Sequence, residues 1–262
     1  MWRYLRLYAC FLRFSFSRAM EFRVDFGFRI VMDVFFYVVN IGFYKILYLH
    51  TSVLGGWRED QVMVFVGCFL LQDALSMTIL ANNLYTLPMS INRGDLDYHL
   101  VRPVSPLFML TLRDFAANSF VNLLMALGLM GWFLAHYNGP VTLAGILLLA
   151  LALLLGFVLR YLVHMVMIIP IFWWQRGHGL EMMFWHLTRF VERPDRIYTG
   201  FGRVLLTTVL PFALMASVPA RFFLEPFDPR LLAHGITVLL AFTILVAFFW
   251  RAGLRAYSSA SS

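Results

Sequence analysis

Long apolar runs separated by short polar ones give this chain its pattern. About 20 apolar residues carry a helix across the hydrocarbon core of a bilayer. Runs at 30–48, 62–84, 107–134, 141–174 and 231–250 meet or approach that length, and a weaker one begins at 180. The run at 141–174 is too long for one plain span; Arg160 and Pro170 interrupt it. It reads as one long helix kinked near Pro170, the alternative being two short spans turning around Arg160. Glu181, His186 and Arg189 make 180–191 a poor lipid-exposed helix, and Pro194-Asp195 breaks it. Between 198 and 226, Pro211 and Pro219 divide an apolar segment. They suggest two short helices that dip into the membrane and return, which requires protein or water to satisfy the freed backbone. The prediction is an all-α polytopic membrane protein with six transmembrane helices.

Ahead of the first span, Arg3, Arg6, Cys10, Arg13 and Ser17 recur at helical spacing, with Trp2, Leu5, Tyr8, Phe11, Leu12 and Phe16 covering the rest. The arginines leave no clean apolar centre for a signal peptide. Residues 1–28 therefore read as an amphipathic helix lying in the membrane interface. Six arginines before the first span, and Arg251 and Arg255 after the last, place both termini in the cytoplasm by the positive-inside rule. Two polar residues, Gln72 and Asp73, fall within the second span. A carboxylate at that depth faces other helices or a wet cavity, either as a functional group or as hydrogen-bonded glue between helices.

The most polar stretch between spans is 91–103, Ile-Asn-Arg-Gly-Asp-Leu-Asp-Tyr-His-Leu-Val-Arg-Pro. Arg93-Gly94 predicts a turn, because glycine accepts positive φ. Asp95 or Asp97 is placed to cap a short helix. Leu96, Leu100 and Val101 sit at helical spacing, and Pro103 closes the segment. Such a helix is a docking surface for another protein; the plainer alternative is a solvated connector.

Composition narrows the function classes. The 262 residues are 61% hydrophobic and 13% charged, with mean hydropathy +0.76. Soluble domains carry about a quarter charged residues. The net charge of +7 is dispersed between spans and reads as topology rather than nucleic-acid binding. Cys10 and Cys68 suggest neither a disulfide framework nor a metal site. No G-x-x-x-x-G-K-[ST] motif occurs, and Lys45 is the sole lysine, so the usual phosphate-cradling loop cannot be built here. There is no H-E-x-x-H pattern among the seven histidines, and no catalytic residue is assigned. A membrane anchor or sensor that recruits a cytosolic partner, and an intramembrane enzyme, are the alternatives to a transport role.

Gly56-Trp57 before a span, then Arg93-Gly94-Asp95-Leu96-Asp97 and Leu100-Val101-Arg102-Pro103, give the chain a recognisable signature. Together with the span pattern it resembles the ABC-2 type permeases, membrane subunits of ATP-binding-cassette exporters. It is similar to a bacterial branch with a G-x-L-D-x-x-L-x-R-P loop, in which two related permeases share one ATPase. The resemblance implies a single permease domain over 1–262, with a cytoplasmic coupling loop at 86–106 and a re-entrant segment at 198–226 lining the exit. By it, Arg93, Gly94, Asp95, Leu96, Asp97, Leu100, Arg102 and Pro103 form the ATPase-coupling interface. Leu96 and Leu100 would fill an apolar cleft on the ATPase, and Arg102 would contact its rim. The implied partners are ABC ATPase subunits, a second related but different permease chain and membrane lipid. ATP and Mg would bind those ATPases and no cofactor this chain; its place would be the bacterial inner membrane.

Overall fold

Four helices in the computed structural model are long and apolar enough to cross a membrane: Phe26–Tyr48, Glu59–Ile79, Leu143–Trp174 and Pro229–Ala256. The structure describes residues 2–19, 23–174 and 178–257, and over these the protein is all-helical. In chain order, α1 is Trp2–Ala19, α2 Arg23–Tyr48, α3 Glu59–Ile79, α4 Ala81–Arg93, α5 Leu96–Leu100, α6 Pro106–Leu112 and α7 Phe120–Ala135. Then follow α8 Leu143–Ile168, α9 Ile171–Trp174, α10 His178–Thr188, α11 Gly200–Thr208, α12 Ser217–Leu224 and α13 Pro229–Ala256.

Helix α3 is apolar on every face and buried along most of its length, so it occupies the bundle centre. The chain packs α7, α12, α2 and α8 around it. Helices α2 and α13 lie outside and keep wide apolar faces open, Phe35, Val38 and Ile46 on one and Leu240, Ile244 and Phe248 on the other. Local signals set the helix starts. Thr142 accepts from Gly145 N–H (3.1 Å) at the head of α8, and Asp228 accepts from Arg230 N–H (2.9 Å) with Pro229 as first residue of α13.

The bundle has two ends. At the distal end the 54–57 turn meets Arg196 and Glu225, and Tyr137 packs on Phe223. At the proximal end Phe172 packs edge-on against Trp250 and Tyr257, and α1 lies on α6 through Tyr4 and Phe108. Each end has its own apolar core. The larger, around Phe65, Phe69 and Phe212, fills the distal part, and the smaller, around Leu84, Leu87, Leu96 and Met165, the proximal part.

Several expected elements need revision. The second run is interrupted before Leu84: α3 ends at Ile79, Leu80 breaks the regular helix for one residue, and α4 then runs through Pro88 to Arg93. The segment 86–93 is thus helix, and the non-helical connection is confined to the ends of α5. The third run is broken, with α6 and α7 separated by residues 113–116 and a 3-10 turn, Ala117–Ser119. That leaves α7 with 16 residues, short of a full crossing by itself. Helix α8 passes unbroken through Arg160 and bends only at Ile169-Pro170, so the single long helix is correct. Helix α10 has 11 residues, about 16 Å at 1.5 Å per residue, and continues into a 3-10 turn, Arg189–Glu192. Chain order holds for the two short helices, α11 and α12, but only Pro211 separates them. Pro219 is the third residue of α12, where its missing N–H would have had no helical partner.

The break at 113–116 is held by side chains from α3 and α4. Asn83 Nδ2 donates to Asp114 O and Asp114 N–H donates to Asn83 Oδ1, both 2.8 Å. Ala116 N–H donates to Thr78 O (2.9 Å), and the Thr78 hydroxyl is shared between Ala74 O of its own helix (2.7 Å) and Ser119 O (3.0 Å). Leaving such buried groups unpaired costs about 1–3 kcal/mol each. Asn83→Ala, which strips both bonds from Asp114, is expected to destabilise the protein by about 2–4 kcal/mol, and Thr78→Val, which removes one donor, by about 1 kcal/mol. Thermal unfolding of detergent-purified variants checks the order.

Candidate functional site

Helix α4 ends at Gly94, whose φ of 82° only glycine adopts freely. Gly94 N–H donates to Ile91 O (3.3 Å) and Asp95 N–H to Ser90 O (3.0 Å). This paired closure satisfies the last carbonyls of α4 and turns the chain directly into α5. Leu96, the first residue of α5, is fully buried in the proximal core. The expectation that it fills a partner's cleft is therefore wrong: it anchors the loop from inside. The outward surface belongs to Tyr98, Leu100 and Val101 (Val101 83% exposed), flanked by exposed Arg93, Arg102 and Pro103.

Neither aspartate behaves as a capping residue. Asp95 stands at the N-cap of α5 in helical conformation without a side-chain cap bond. Asp97 lies against Tyr257, whose phenol is pushed above its usual pKa by burial first and by the Asp97 charge next. The end of α13 thus reaches the loop. On the other side Ser105 N–H donates to the Tyr4 hydroxyl (3.3 Å), and Tyr4 stands edge-on to Phe108 at 4.9 Å. Arg6, Cys10, Arg13 and Ser17 of α1 are exposed, as the polar stripe predicted. The proximal face therefore gathers three separate parts of the chain around α5.

The two intramembrane polar candidates are both tethered to α8. Gln72 Nε2 donates to Leu153 O at 2.6 Å. A Cβ at Gly156 would come within 2.8 Å of Met215 O and 2.9 Å of Gln72 Nε2, so only glycine lets α8 approach this closely. Asp73 accepts from Arg160 Nη2 at 3.1 Å, and Arg160 is buried. Their charges neutralise each other between α3 and α8. Among the described residues no group of His, Cys, Asp and Glu could hold a metal ion.

A third polar cluster was not anticipated from the sequence. Asp195, wholly buried, accepts from the Ser217 hydroxyl (2.5 Å) and from Arg203 Nε (3.0 Å), and Arg221 Nη1 lies 3.6 Å away. Arg196 Nη2 reaches Glu225 at 2.5 Å, Arg221 reaches the same carboxylate at 3.4 Å, and Trp57 Nε1 donates to it at 3.0 Å. The segment between Arg196 and Glu225 therefore returns to where it began. The available signal was Arg221 and Glu225 four residues apart, with three further charged residues in an otherwise apolar stretch.

The family model for ABC-2 family transporter proteins matches residues 34–261, which takes in α3 to α13 and most of α2. The chain belongs to the ABC-2 transporter family. No curated protein and no solved structure matches it. As an ABC-2 family protein it is a membrane transport component, and its family implies association with ABC ATPase subunits.

Two tests address this ABC-2 protein's polar groups. Removing one partner of a buried ion pair costs about 3–5 kcal/mol, whereas replacing both by apolar groups is close to neutral. Asp73→Leu and Arg160→Met alone are expected to lower the unfolding temperature sharply, and the double variant to recover much of the loss. The second test concerns His99 in α5. Burial, then Arg113 and Arg102, lower its pKa, and Asp95 opposes them weakly. A histidine depressed on folding favours the folded loop above its ordinary value, near pH 6.5, and loses that contribution as pH falls through it. Proteolytic cleavage at the 94–105 loop, measured against an unstructured peptide, should accelerate from about pH 7.5 to about pH 5.5, and His99→Asn should flatten the response.

Proposed function

We propose that this ABC-2 protein is the permease subunit of an ABC exporter, forming the pathway with a second, related permease and driven by separate ATPase subunits that carry ATP and Mg. The observation that carries this reading is the build of α5. Its apolar tip, Tyr98, Leu100 and Val101, is exposed between Arg93 and Arg102, while Leu96 pins it to the body from beneath. An exposed apolar tip with a basic rim is the anatomy of an interface anchor.

The same module has the means to transmit a push. Helices α4, α5 and α6 share the proximal core, and both chain connections to the distal bundle are interrupted, at Leu80 and at 113–119. ATPase closure would tilt this module about those interruptions and shift the balance between inward- and outward-facing arrangements. The coupling surface then consists of Arg93, Gly94, Tyr98, Leu100, Val101, Arg102 and Pro103. Leu96, Asp95 and Asp97 hold it in shape.

Six crossings fit this arrangement, with α7, and α10 with its 3-10 extension, supplying the two short ones. Support comes from α10 itself, which stacks Phe184 on His164 of α8 (centroids 3.7 Å) and leads on to Arg196 at the distal end. With the proximal face in the cytoplasm, the segment from Arg196 to Glu225 is re-entrant from the outer side. The arginines of α1 and α13 favour that orientation in a bacterial inner membrane.

Truncating or charging a buried interface anchor costs about 2 kcal/mol or more, roughly thirtyfold in affinity. The double variant Leu100→Asp/Val101→Asp should release the ATPase on pull-down from membranes, and Arg102→Ala should weaken it modestly. Both should insert normally, since the positions are exposed. Full recovery of a stimulated ATPase with the double variant would make the loop a connector only.

A further inference from the structure

Helices α2 and α7 meet at one level and part above it. The Tyr37 hydroxyl donates to Asn122, to the backbone oxygen at 3.1 Å and to the side-chain oxygen. From there towards the distal end the two helices diverge, and α3 closes the back of the gap. The result is a wedge-shaped cleft of about 730 Å³, a volume within the range of small-molecule sites. Its deep walls are apolar: Ile41 of α2, Met63 of α3, and Leu129 and Phe133 of α7. Its mouth carries both signs of charge, Lys45 and Arg58 beside Glu59 and Asp60.

We propose that this cleft binds one membrane amphiphile with a zwitterionic head, apolar chain against Leu129 and Met63, head at the Lys45–Glu59 mouth. Three observations carry it. The polarity gradient runs along the wedge as it does along such a molecule. Lys45 and Glu59 are paired with each other, and Arg58 lies 3.7 Å from Asp60. Lys45, Glu59 and Arg58 are well exposed, and ion pairs exposed in this way contribute about 0–1 kcal/mol. They open at little cost to a phosphate on Lys45 and Arg58 and an ammonium on Glu59. Finally, Trp132 stands at the rim, 61% exposed and stacked on His136 with ring centroids 4.1 Å apart. An indole at a span end sits at headgroup level, with its apolar body towards the chains.

The proposal rests on the membrane placement of α2, α3 and α7 and not on ATPase docking. Its test uses the full chain without any ATPase, so failure of the pull-down leaves it untouched. Native mass spectrometry of the detergent-purified protein is run with three probes: phosphatidylethanolamine, phosphatidylglycerol and glycerophosphoethanolamine, the zwitterionic head without its chains. One phosphatidylethanolamine per chain should be retained, about tenfold more strongly than phosphatidylglycerol, and the free head should not be. Leu129→Trp, which fills the cleft, should abolish retention. The milder Lys45→Gln and Glu59→Gln should each weaken it several-fold, and Ile244→Trp on the exposed face of α13 should leave it unchanged. Equal retention of both lipids, retention of the free head alone, or undiminished binding in Leu129→Trp and both Gln variants would each overturn the proposal.

Discussion

A membrane offers no water to an unpaired backbone group, and three points where the regular helix breaks carry an internal substitute for it. The clearest is Asn83, whose amide donates to Asp114 O and accepts from Asp114 N–H where the third apolar run breaks. Thr78 repeats the device at Ser119. Ser217 does the same farther along, accepting from Asp195 N–H at 3.0 Å while donating to the Asp195 carboxylate. These side chains satisfy backbone groups where α6 gives way to α7 and where the chain turns between α10 and α12.

That constraint also explains which features were legible in the sequence. Hydropathy reports whether a residue is apolar, not whether its backbone is helical. It therefore found the apolar runs and the amphipathic start, but it merged α6 with α7 because Phe115, Ala116 and Ala117, inside the gap, are themselves apolar. The signal for the break lay elsewhere, in Asn83 and Thr78, polar residues buried in an apolar neighbourhood. Pro170 announced its bend because proline acts on its own helix. Pro219 misled for the opposite reason: it falls in the first turn of α12, where proline is tolerated.

The loop motif was legible in outline and misread in one detail. Gly94 had to turn, and it does. Leu96 and Leu100 are four apart and were placed on one face, which is correct for a long helix. But α5 is only five residues long and starts directly beneath the end of α4. Leu96 is tucked under that end while Leu100 has already emerged, so one-turn periodicity could not tell the anchor from the tip. Asp97 was equally opaque, because its neighbour Tyr257 lies 160 positions further along the chain.

The two ends of the bundle are built to opposite specifications. Distally, Asp195, Ser217, Arg221, Glu225, Arg196 and Trp57 form a linked network that crosses three separate stretches of chain. A buried charge network of this kind resists partial rearrangement, because moving any one member strands the others in low dielectric. Proximally, α4 to α6 share an apolar core, and polar contacts among the described residues are few: the Asn83–Asp114 pair and the Thr78 contacts that fasten the 113–119 break. Asp73–Arg160 and Gln72–Leu153 O tie α3 to α8, the second within the larger core, to which Leu153 belongs. Moving α3 relative to α8 would therefore strand a buried arginine and a buried amide without their partners, which favours the two helices behaving as one unit.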